Sequence, residues 1–390
     1  MIAFDLSRLL SRAGSATPSG IDRVELAYAR HLATGAAPYC FVARGTLGGI
    51  GLLPKGAAGD FIDRLAALWR DGATARERRR LATLARRLRL AVLIGGSPLH
   101  RALRESHDTA LYLLVSHHNL DRSRPIARLK SATGALFVCL VHDLIPLEFP
   151  ALTRAGQTVR HNRRVATVAA LADAVIVNST ATREALCARL GDRDTPVAVA
   201  PLGVELPEAT RPDSAVPYFI CIGTIERRKN QKLLFDVWQR LAAELGQQTP
   251  RLFLVGQRGF GGEEIASRLG ALHDIVVERP DLPDTAMAGL LRGARALLLP
   301  SLAEGFGLPV VEALAYGVPA LCSDLPALRE SGGNVPDYFD PHNEGAWRTA
   351  IVDFLTDSPR RQAQLARLAR WQAPGWPEHF ALVERLIAML

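Results

Sequence analysis

Two glutamates, Glu304 and Glu312, stand with seven residues between them in the stretch PSLAEGFGLPVVEALAYGVPAL. The first lies in a glycine-rich turn, and the second lies in the helix predicted to follow. An ionised carboxylate accepts hydrogen bonds, which the vicinal hydroxyls of a sugar donate. Glycine amides and a helix N-terminus favour a nearby anion. We expect Glu304 to bind a sugar, Glu312 to bind a ribose, and the intervening loop to approach a diphosphate through Gly305, Phe306, Gly307 and Leu308.

A second stretch, CIGTIERRKNQKLLF, ends a predicted strand at Gly223 and places two cations before the helix that follows. Fixed positive charge beside a helix N-terminus suits a diphosphate, both when it binds and when it departs with added charge. We therefore expect Arg228 and Lys229 to contact phosphate.

The first half of the chain has histidines at predicted strand ends. LFVCLVHD ends in His142 and Asp143, and an imidazole there suits hydrogen bonding to a sugar or acceptor hydroxyl. A structural His-Asp pair is the alternative. His117 and His118 end another strand and are expected on the acceptor side. No third ligand follows them at metal-binding spacing, so no metal site is predicted.

The first predicted strand leads into SATPSGIDRVELAYARHL. Gly20 precedes the helix there, and its backbone is expected to approach a phosphate. The pattern is not Gly-x-Gly-x-x-Gly, and no acidic ribose ligand follows at the expected distance. A dinucleotide-dependent enzyme is therefore not predicted, and no cofactor is expected.

The Glu-x7-Glu stretch closely resembles the donor-site motif of retaining GT-B glycosyltransferases, the large family with glycogen-synthase-like and mannosyltransferase members. The stretch around Lys229 resembles the family's Gly-x-x-x-x-Arg-Lys-Asn signature, although Thr224 stands where many members have arginine. The stretch VHDLIP resembles bacterial mannosyl- and rhamnosyltransferases of the family. The resemblance implies that Glu304 and His142 lie in the active site, that Lys229 binds phosphate, and that Gly256 and Leu282 receive the base.

Short apolar runs alternate with helical periodicity along the chain, which predicts an α/β protein with two doubly wound, Rossmann-like parallel sheets. The resemblance implies the GT-B arrangement, with a cleft between two domains and a last helix returning to the first. A proline-rich linker, 201–219, separates the halves. The predicted domains are an acceptor-side domain (1–205), a donor domain (206–375) and the returning helix (376–390).

Charge is distributed unevenly: residues 1–205 carry a net charge of +11, whereas residues 206–390 carry −3. The stretch RERRRLATLARRLR (76–89) predicts an amphipathic helix with seven arginines and one acid. Such a helix either binds an anionic membrane or presents a solvated basic face. The five scattered cysteines and the lack of a secretory signal favour a cytoplasmic protein. The basic helix favours peripheral attachment to the inner face of the membrane. No nucleic-acid partner is predicted.

The predicted reaction is transfer of a sugar from a nucleotide-sugar donor to a glycan or lipid-linked glycan in bacterial surface polysaccharide synthesis. GDP-mannose is the first donor expected, with dTDP-rhamnose and UDP-sugars as alternatives. Retention of configuration and independence of metal are expected. An epimerase or phosphorylase of the same fold and a non-catalytic nucleotide-sugar-binding or scaffold protein are the competing hypotheses.

Overall fold

The chain folds into two compact α/β units. The computed structural model describes residues 1–45, 48–191, 194–210, 216–267 and 272–390. The boundary in the linker falls at Ala200–Pro201, a few residues before the expected position. Residues 211–215 of that linker lie outside the described residues. The first unit consists of Met1–Leu144, Thr158–Ala200 and Trp376–Leu390, and the second consists of Ile145–Gln157 and Pro201–Gly375.

The first unit contains a seven-stranded sheet in the order β3-β2-β1-β4-β5-β6-β7. All neighbouring pairs are parallel except β2 and β3, which are antiparallel. Strands β4 and β6 are buried along their whole length, as expected for strands covered on both faces. The strands are β1 Ile2–Asp5, β2 Tyr39–Arg44, β3 Ile50–Leu52, β4 Leu111–Leu114, β5 Leu136–Val141, β6 Ala174–Val177 and β7 Val197–Val199.

The second unit contains a six-stranded, all-parallel sheet in the order β10-β9-β8-β11-β12-β13. Alternate residues of β8 belong to two different apolar clusters, so helices cover both faces of this sheet. The predicted pair of parallel-sheet α/β domains is confirmed. The strands are β8 Tyr218–Ile222, β9 Arg251–Val255, β10 Val276–Arg279, β11 Leu297–Leu299, β12 Ala320–Ser323 and β13 Asp337–Phe339.

Helices connect and cover the strands of both sheets. Those of the first unit are α1 Ser7–Ser11, α2 Gly20–Thr34, α3 Lys55–Asp71, α4 Ala75–Ala91, α5 Gly96–Arg104, α6 Ser123–Thr133, α8 Gln157–Leu171, α9 Thr180–Leu190 and α17 Trp376–Ala388, with α8 beginning one residue before that unit resumes. Those of the second unit are α7 Ile145–Glu148, α10 Gln231–Leu245, α11 Gly262–Ala266, α12 Asp284–Gly293, α13 Leu308–Ala315, α14 Pro326–Gly332, α15 Glu344–Leu355 and α16 Pro359–Leu368.

The last helix, α17, packs within the first unit on aromatic side chains of α2. Tyr28 and His379 are both buried and are joined by a hydrogen bond of 2.7 Å between Oη and Nε2. The ring of Phe380 stacks on His31, with 3.7 Å between centroids. These contacts place α17 in the same core as the first strands of the chain.

The glycine-rich stretch GTLGGIGLLPKG contains strand β3, which sequence patterning does not predict. Thr46 and Leu47 lie outside the described residues. A Cβ atom on Gly51 would lie 2.5 Å from the Val92 carbonyl oxygen. Glycine is therefore needed at position 51, because the chain after α4 packs directly on β3. Sequence patterning does not reveal this close approach of two backbone segments.

Candidate active site

Glu304 lies in the loop that joins β11 to α13, at the carboxyl end of its strand. Gly307 caps the helix with φ of 95°, and a Cβ atom there would lie 2.4 Å from Leu328 Cδ2. Glycine is required at this position on both counts. Glu312 follows on α13 and is 8% exposed. Phe306 is buried, whereas Gly305 and Leu308 are partly exposed.

Three side chains hold the carboxylate of Glu304, which is only 7% exposed. Lys229 Nζ donates to Oε1 at 2.5 Å, and Ser301 Oγ donates to the same oxygen at 2.7 Å. Arg228 Nη1 donates to Oε2 at 3.0 Å. Burial alone would raise the pKa of Glu304, but the Lys229 ammonium and the Arg228 guanidinium outweigh it and lower the pKa to about 2. The carboxylate is therefore ionised at any physiological pH.

The guanidinium of Arg228 is bound mainly by the protein itself. Its Nε and Nη2 donate to Glu226 Oε1 at 3.1 and 2.8 Å, and Nη1 also donates to the Ala303 carbonyl at 2.9 Å. These bonds connect Glu226, which sequence reasoning missed, to Glu304 through Arg228. The expected contact between Arg228 and phosphate stays a prediction.

Lys229 lies across the carboxyl end of β8. A Cβ atom on Gly223, whose φ is 136°, would lie 3.2 Å from Lys229 Cε. The lysine is in a short 3₁₀ turn, Arg227–Lys229, directly before α10. The Arg228 carbonyl accepts a hydrogen bond of 2.8 Å from the Leu302 amide, which joins this turn to the Glu304 loop. The structure thus brings the two predicted motifs together.

Gly256, expected near the base, lies beside Gly223 at the neighbouring strand end. A Cβ atom on it would lie 2.3 Å from the Gly223 carbonyl oxygen, so the two strand ends approach as closely as glycine allows. Leu282 is half-buried and packs against the apolar cluster of α12 and α13.

In the first unit, His142 lies at the end of β5 and is 5% exposed. Its Nε2 is 2.8 Å from the Val115 carbonyl oxygen. Because a carbonyl only accepts, Nε2 carries the proton, and Nδ1 of the neutral ring keeps a lone pair. Burial lowers the pKa of His142 to about 4, so the ring is neutral at pH 7.

The other histidines of this region surround and fix His142. The His142 amide donates to His117 Nε2 at 3.1 Å, so His117 helps to fix His142, and its expected acceptor contact stays a prediction. His117 is also stacked edge-to-face on His161, a residue that sequence reasoning missed, with 5.1 Å between centroids. Burial lowers the pKa of His117, His118 and His161. His161 Nε2 bonds to the Asp143 carbonyl at 3.1 Å.

Family profiles match both halves of the chain. The profile described as "Glycosyl transferases group 1" matches residues 216–357, and "Glycosyltransferase Family 4" matches residues 61–208. The O-antigen chain mannosyltransferase B of Escherichia coli is 34% identical over 163 residues, which are 41% of this chain and 42% of the relative. The serotype-specific mannosyltransferase WbdA of Escherichia coli is 27% identical over 248 residues, covering 57% and 30%.

A solved structure shares the fold over its whole length. HepE of Anabaena, in complex with UDP and glucose, aligns with a TM-score of 0.68 and 17% identity over 100% of this chain and 99% of its own. The chain has the GT-B fold, and glycosyltransferase profiles match both of its halves. It spans less than half the length of the two mannosyltransferases.

The family profiles cover some of the expected site residues of this GT-B chain but not all of them. Glu304, Glu312 and Lys229 fall in the matched part of the second unit, and His142 falls in that of the first. Gly20 falls outside both. The structure begins α2 at Gly20 with a capping box between Ser19 and Asp22, so a carboxylate already occupies this helix end. The phosphate contact expected at Gly20 stays a prediction.

Two further properties of the described residues bear on the site. No three His, Cys, Asp or Glu side chains among them are arranged to hold a metal ion. Within the same part of the GT-B chain, none of the helices combines the length and apolar character needed to span a bilayer.

Proposed function

We propose that this protein transfers a sugar from a nucleotide-sugar donor with retention of anomeric configuration. The ionised Glu304, held by Lys229, Arg228 and Ser301 at the carboxyl end of β11, is the observation that carries the proposal. A carboxylate has about four lone-pair positions, of which these bonds use three. The remaining position accepts a hydroxyl of the donor sugar.

The other donor contacts follow from the same strand ends. Glu312 binds the ribose, and Lys229 with the N-termini of α10 and α13 binds the diphosphate. Gly256 and Leu282 receive the base. Arg228, oriented by Glu226, positions Glu304 and is the proposed second contact to the diphosphate. Each proposed contact matches the hydrogen-bonding, charged or apolar character of the group that makes it.

In the proposed reaction, the acceptor oxygen attacks the anomeric carbon from the same face that the diphosphate leaves. The bond between the anomeric carbon and the diphosphate oxygen breaks, and the acceptor oxygen bonds to the same face. The departing phosphate oxygen takes the acceptor proton, and Lys229 and the helix N-termini stabilise its charge. His142, neutral and with a free lone pair on Nδ1, accepts a hydrogen bond from a sugar or acceptor hydroxyl. Asp143, His117 and His118 are proposed to lie on the acceptor side.

We propose GDP-mannose as the donor and a glycan or lipid-linked glycan of the bacterial surface as the acceptor. The VHDLIP stretch and the two relatives named as mannosyltransferases support mannose. UDP-sugars remain alternatives because HepE was solved with UDP and glucose, and dTDP-rhamnose remains one from the resemblance. The three buried free thiols Cys139, Cys221 and Cys322 fit a reducing, cytoplasmic compartment.

A donor panel tests the proposed function. The purified protein is incubated with GDP-mannose, UDP-glucose and dTDP-rhamnose, with and without EDTA, and release of each nucleoside diphosphate is measured beside a Glu304→Gln control. We expect release from one donor, unaffected by EDTA and lost in the control. Nucleotide binding without release from any donor would overturn the proposal in favour of a non-catalytic binding or scaffold protein.

We also propose peripheral attachment to the inner face of the cytoplasmic membrane. The support is α4, whose Leu81, Ala85 and Leu88 are buried while its arginines face outward. Sedimentation with vesicles is expected to rise with anionic lipid and to fall in high salt, because exposed charges are screened within about 8–10 Å. Equal sedimentation with neutral and anionic vesicles would contradict the attachment.

A further inference from the structure

A cavity of about 430 Å³ between α3 and α4 is lined mainly by cations. Its volume is in the range of about 300–1,000 Å³ typical of ligand sites. None of its residues belongs to the proposed donor or acceptor contacts. The lining consists of Asp60, Arg64, Arg76, Arg79, Arg80, Thr83, Leu84 and Arg87.

The positive charge of this cavity is largely uncompensated by the protein. Arg64 is paired with Asp60 at 2.7 Å. Among the described residues, no carboxylate forms an ion pair with any of the other four arginines. Arg76 and Arg80 stand one turn apart on α4, where like charges destabilise a helix by a few tenths of a kcal/mol per pair. A bound anion would relieve this repulsion, and guanidinium groups bind phosphate oxygens in pairs.

An exposed apolar tip follows the arginines, at the end of α4 and in the turn beyond it. Leu90 lies about one turn beyond Arg87 on the same side of α4, and Leu93 and Ile94 follow in the turn after it. Their exposed fractions are 65%, 53% and 81%. Scattered apolar residues on a surface need no explanation, but three together beside a basic cavity form an amphipathic site.

The tip is held firmly in place by the strand beneath it. Val92, between the exposed residues, is buried, and its carbonyl oxygen meets β3 where only Gly51 leaves room. The Leu52 amide donates to the Gly95 carbonyl at 3.0 Å, and a Cβ atom on Gly95 would lie 2.4 Å from the Leu52 oxygen. The apolar side chains are thus presented on a packed turn.

We propose that this cavity binds the phosphate or diphosphate ester of a long-chain alcohol. The arginines of the cavity bind the phosphate oxygens, and Leu90, Leu93 and Ile94 contact the aliphatic chain. The charge of the cavity and its apolar border match the two ends of such an amphiphile. The inference rests on the proposed function and deepens it, since it assigns the lipid phosphate of a lipid-linked acceptor to a site in the first unit.

Binding of farnesyl diphosphate, below its critical micelle concentration, tests the site by calorimetry. Saturating GDP or UDP is present to occupy the donor site, and inorganic pyrophosphate and farnesol are the single-feature probes. We expect farnesyl diphosphate to bind more tightly than either probe. Lys229→Ala is expected to weaken nucleotide binding and to leave farnesyl diphosphate binding unchanged. Failure of this site and failure of the proposed donor site are therefore distinguishable.

The α4 helix supplies a charge-matched control. Arg80→Ala with Arg87→Ala removes two cavity arginines, whereas Arg86→Ala with Arg89→Ala removes two exposed arginines that do not line the cavity. We expect the first pair to weaken farnesyl diphosphate binding by at least about tenfold and the second to change it by less than about twofold. An equal loss of binding in both double variants would show that overall positive charge, not the cavity, determines affinity, and it would overturn the proposed site.

The apolar tip is tested separately with Leu90→Ser and Ile94→Ser together. We expect weaker binding of farnesyl diphosphate and unchanged binding of pyrophosphate, with the melting temperature as a check on folding. Phosphatidylglycerol vesicles distinguish the source of phosphate. Binding to these vesicles without binding to farnesyl diphosphate would overturn the proposal and leave a general membrane contact.

Discussion

Both proposed sites have a buried polar group at the end of a strand, but one group is ionised and the other is neutral. In the second unit, Glu304 stays ionised in the interior because Lys229 and Arg228 neutralise it locally. In the first, His142 is buried without charge, and its pKa is lowered to about 4. Burial, with repulsion from Asp5, raises the pKa of Glu25 to about 8, so this carboxyl is also neutral at pH 7.

The difference separates two kinds of chemistry. A site with fixed cations suits a charged ligand such as a diphosphate, because the cations are already oriented toward the ligand's charge. A neutral site suits hydroxyl groups, which exchange hydrogen bonds without a net charge. The proposed donor and acceptor roles follow this division between the units.

The largest expected effect comes from removing the charge of Glu304. Glu304→Gln keeps the shape but leaves Lys229 and Arg228 without their carboxylate. We expect turnover to fall by about 10²–10³-fold, because a bond to the reacting sugar and the orientation of two cations are both lost. Steady-state release of nucleoside diphosphate measures it, with circular dichroism as the folding control. A folded variant with unchanged turnover would remove Glu304 from the site.

Stability of the two units should respond differently to pH. Below the ordinary histidine pKa of 6.5, unfolded histidines bind protons that His117, His142 and His161 do not, so the first unit loses stability as pH falls toward 4. The raised pKa of Glu25 acts in the opposite direction: its contribution is complete below pH 4.5 and is lost as pH rises toward 8, with about 2 kcal/mol of that loss above pH 6.5. The contribution of Glu304 is complete above pH 4.5 and is lost as pH falls toward 2.

Hydrogen exchange, normalised for intrinsic rates, measures this difference unit by unit. Protection of β5 is expected to peak near pH 6–7, whereas protection of β11 is expected to stay level above pH 4.5. Glu25→Gln should abolish the alkaline loss in β5. Parallel pH profiles in both strands would show that the units do not differ in this way.

Lys229→Ala should weaken nucleotide binding by roughly 10–100-fold, since a hydrogen bond to a charged group contributes about 1.5–3 kcal/mol. Titration calorimetry with GDP and UDP measures the change. Arg228→Ala is the matched comparison and is expected to affect affinity much less than turnover, because its guanidinium contacts Glu226 and Glu304. Unchanged affinity in Lys229→Ala would move the phosphate site elsewhere.

His142→Ala should lower turnover about tenfold while leaving nucleotide affinity unchanged, because the first unit is assigned the sugar and acceptor hydroxyls. Turnover and calorimetric affinity are compared in the same preparation. Normal transfer with a lowered melting temperature would instead support a structural role for the ring.

Glu226→Gln is expected to have the smallest effect, a loss of roughly threefold to tenfold in turnover with unchanged nucleotide affinity. The amide oxygen still accepts from Arg228 but without charge assistance. Glu263→Gln, which removes the charge of an exposed carboxylate paired with Arg258, is the control. Equal effects of the two substitutions would deny Glu226 a positioning role.

The sequence predicted the sheets and the donor motifs because both depend on local patterns. Apolar runs that alternate with helical periodicity identify parallel strands, and Glu304 with Lys229 has a short, specific context. Strand β13, Asp337–Phe339, was missed because it is short and only its last residue is buried. Strand β3 was missed because glycines near the close approach to Val92 hide its apolar pattern.

The remaining site residues depend on contacts between distant parts of the chain. Glu226 is two residues from Arg228, but only the fold shows that its carboxylate orients that guanidinium. His161 lies in the middle of α8 and meets His117 across the structure. Neither position has a signal in composition or spacing, since the partners are set by packing.

The placement of α17 in the first unit has a consequence for how the protein is synthesised. The ribosome makes the whole of Pro201–Gly375 before it makes the helix whose His379 bonds to Tyr28. At about 5–20 residues per second, that interval is on the order of 10–35 s. During that time the first unit emerges with the aromatic face of α2 uncovered, although it is translated first. The second unit is therefore the one able to complete its core first, and released chains truncated before residue 376 should contain a folded second unit beside a protease-sensitive first one.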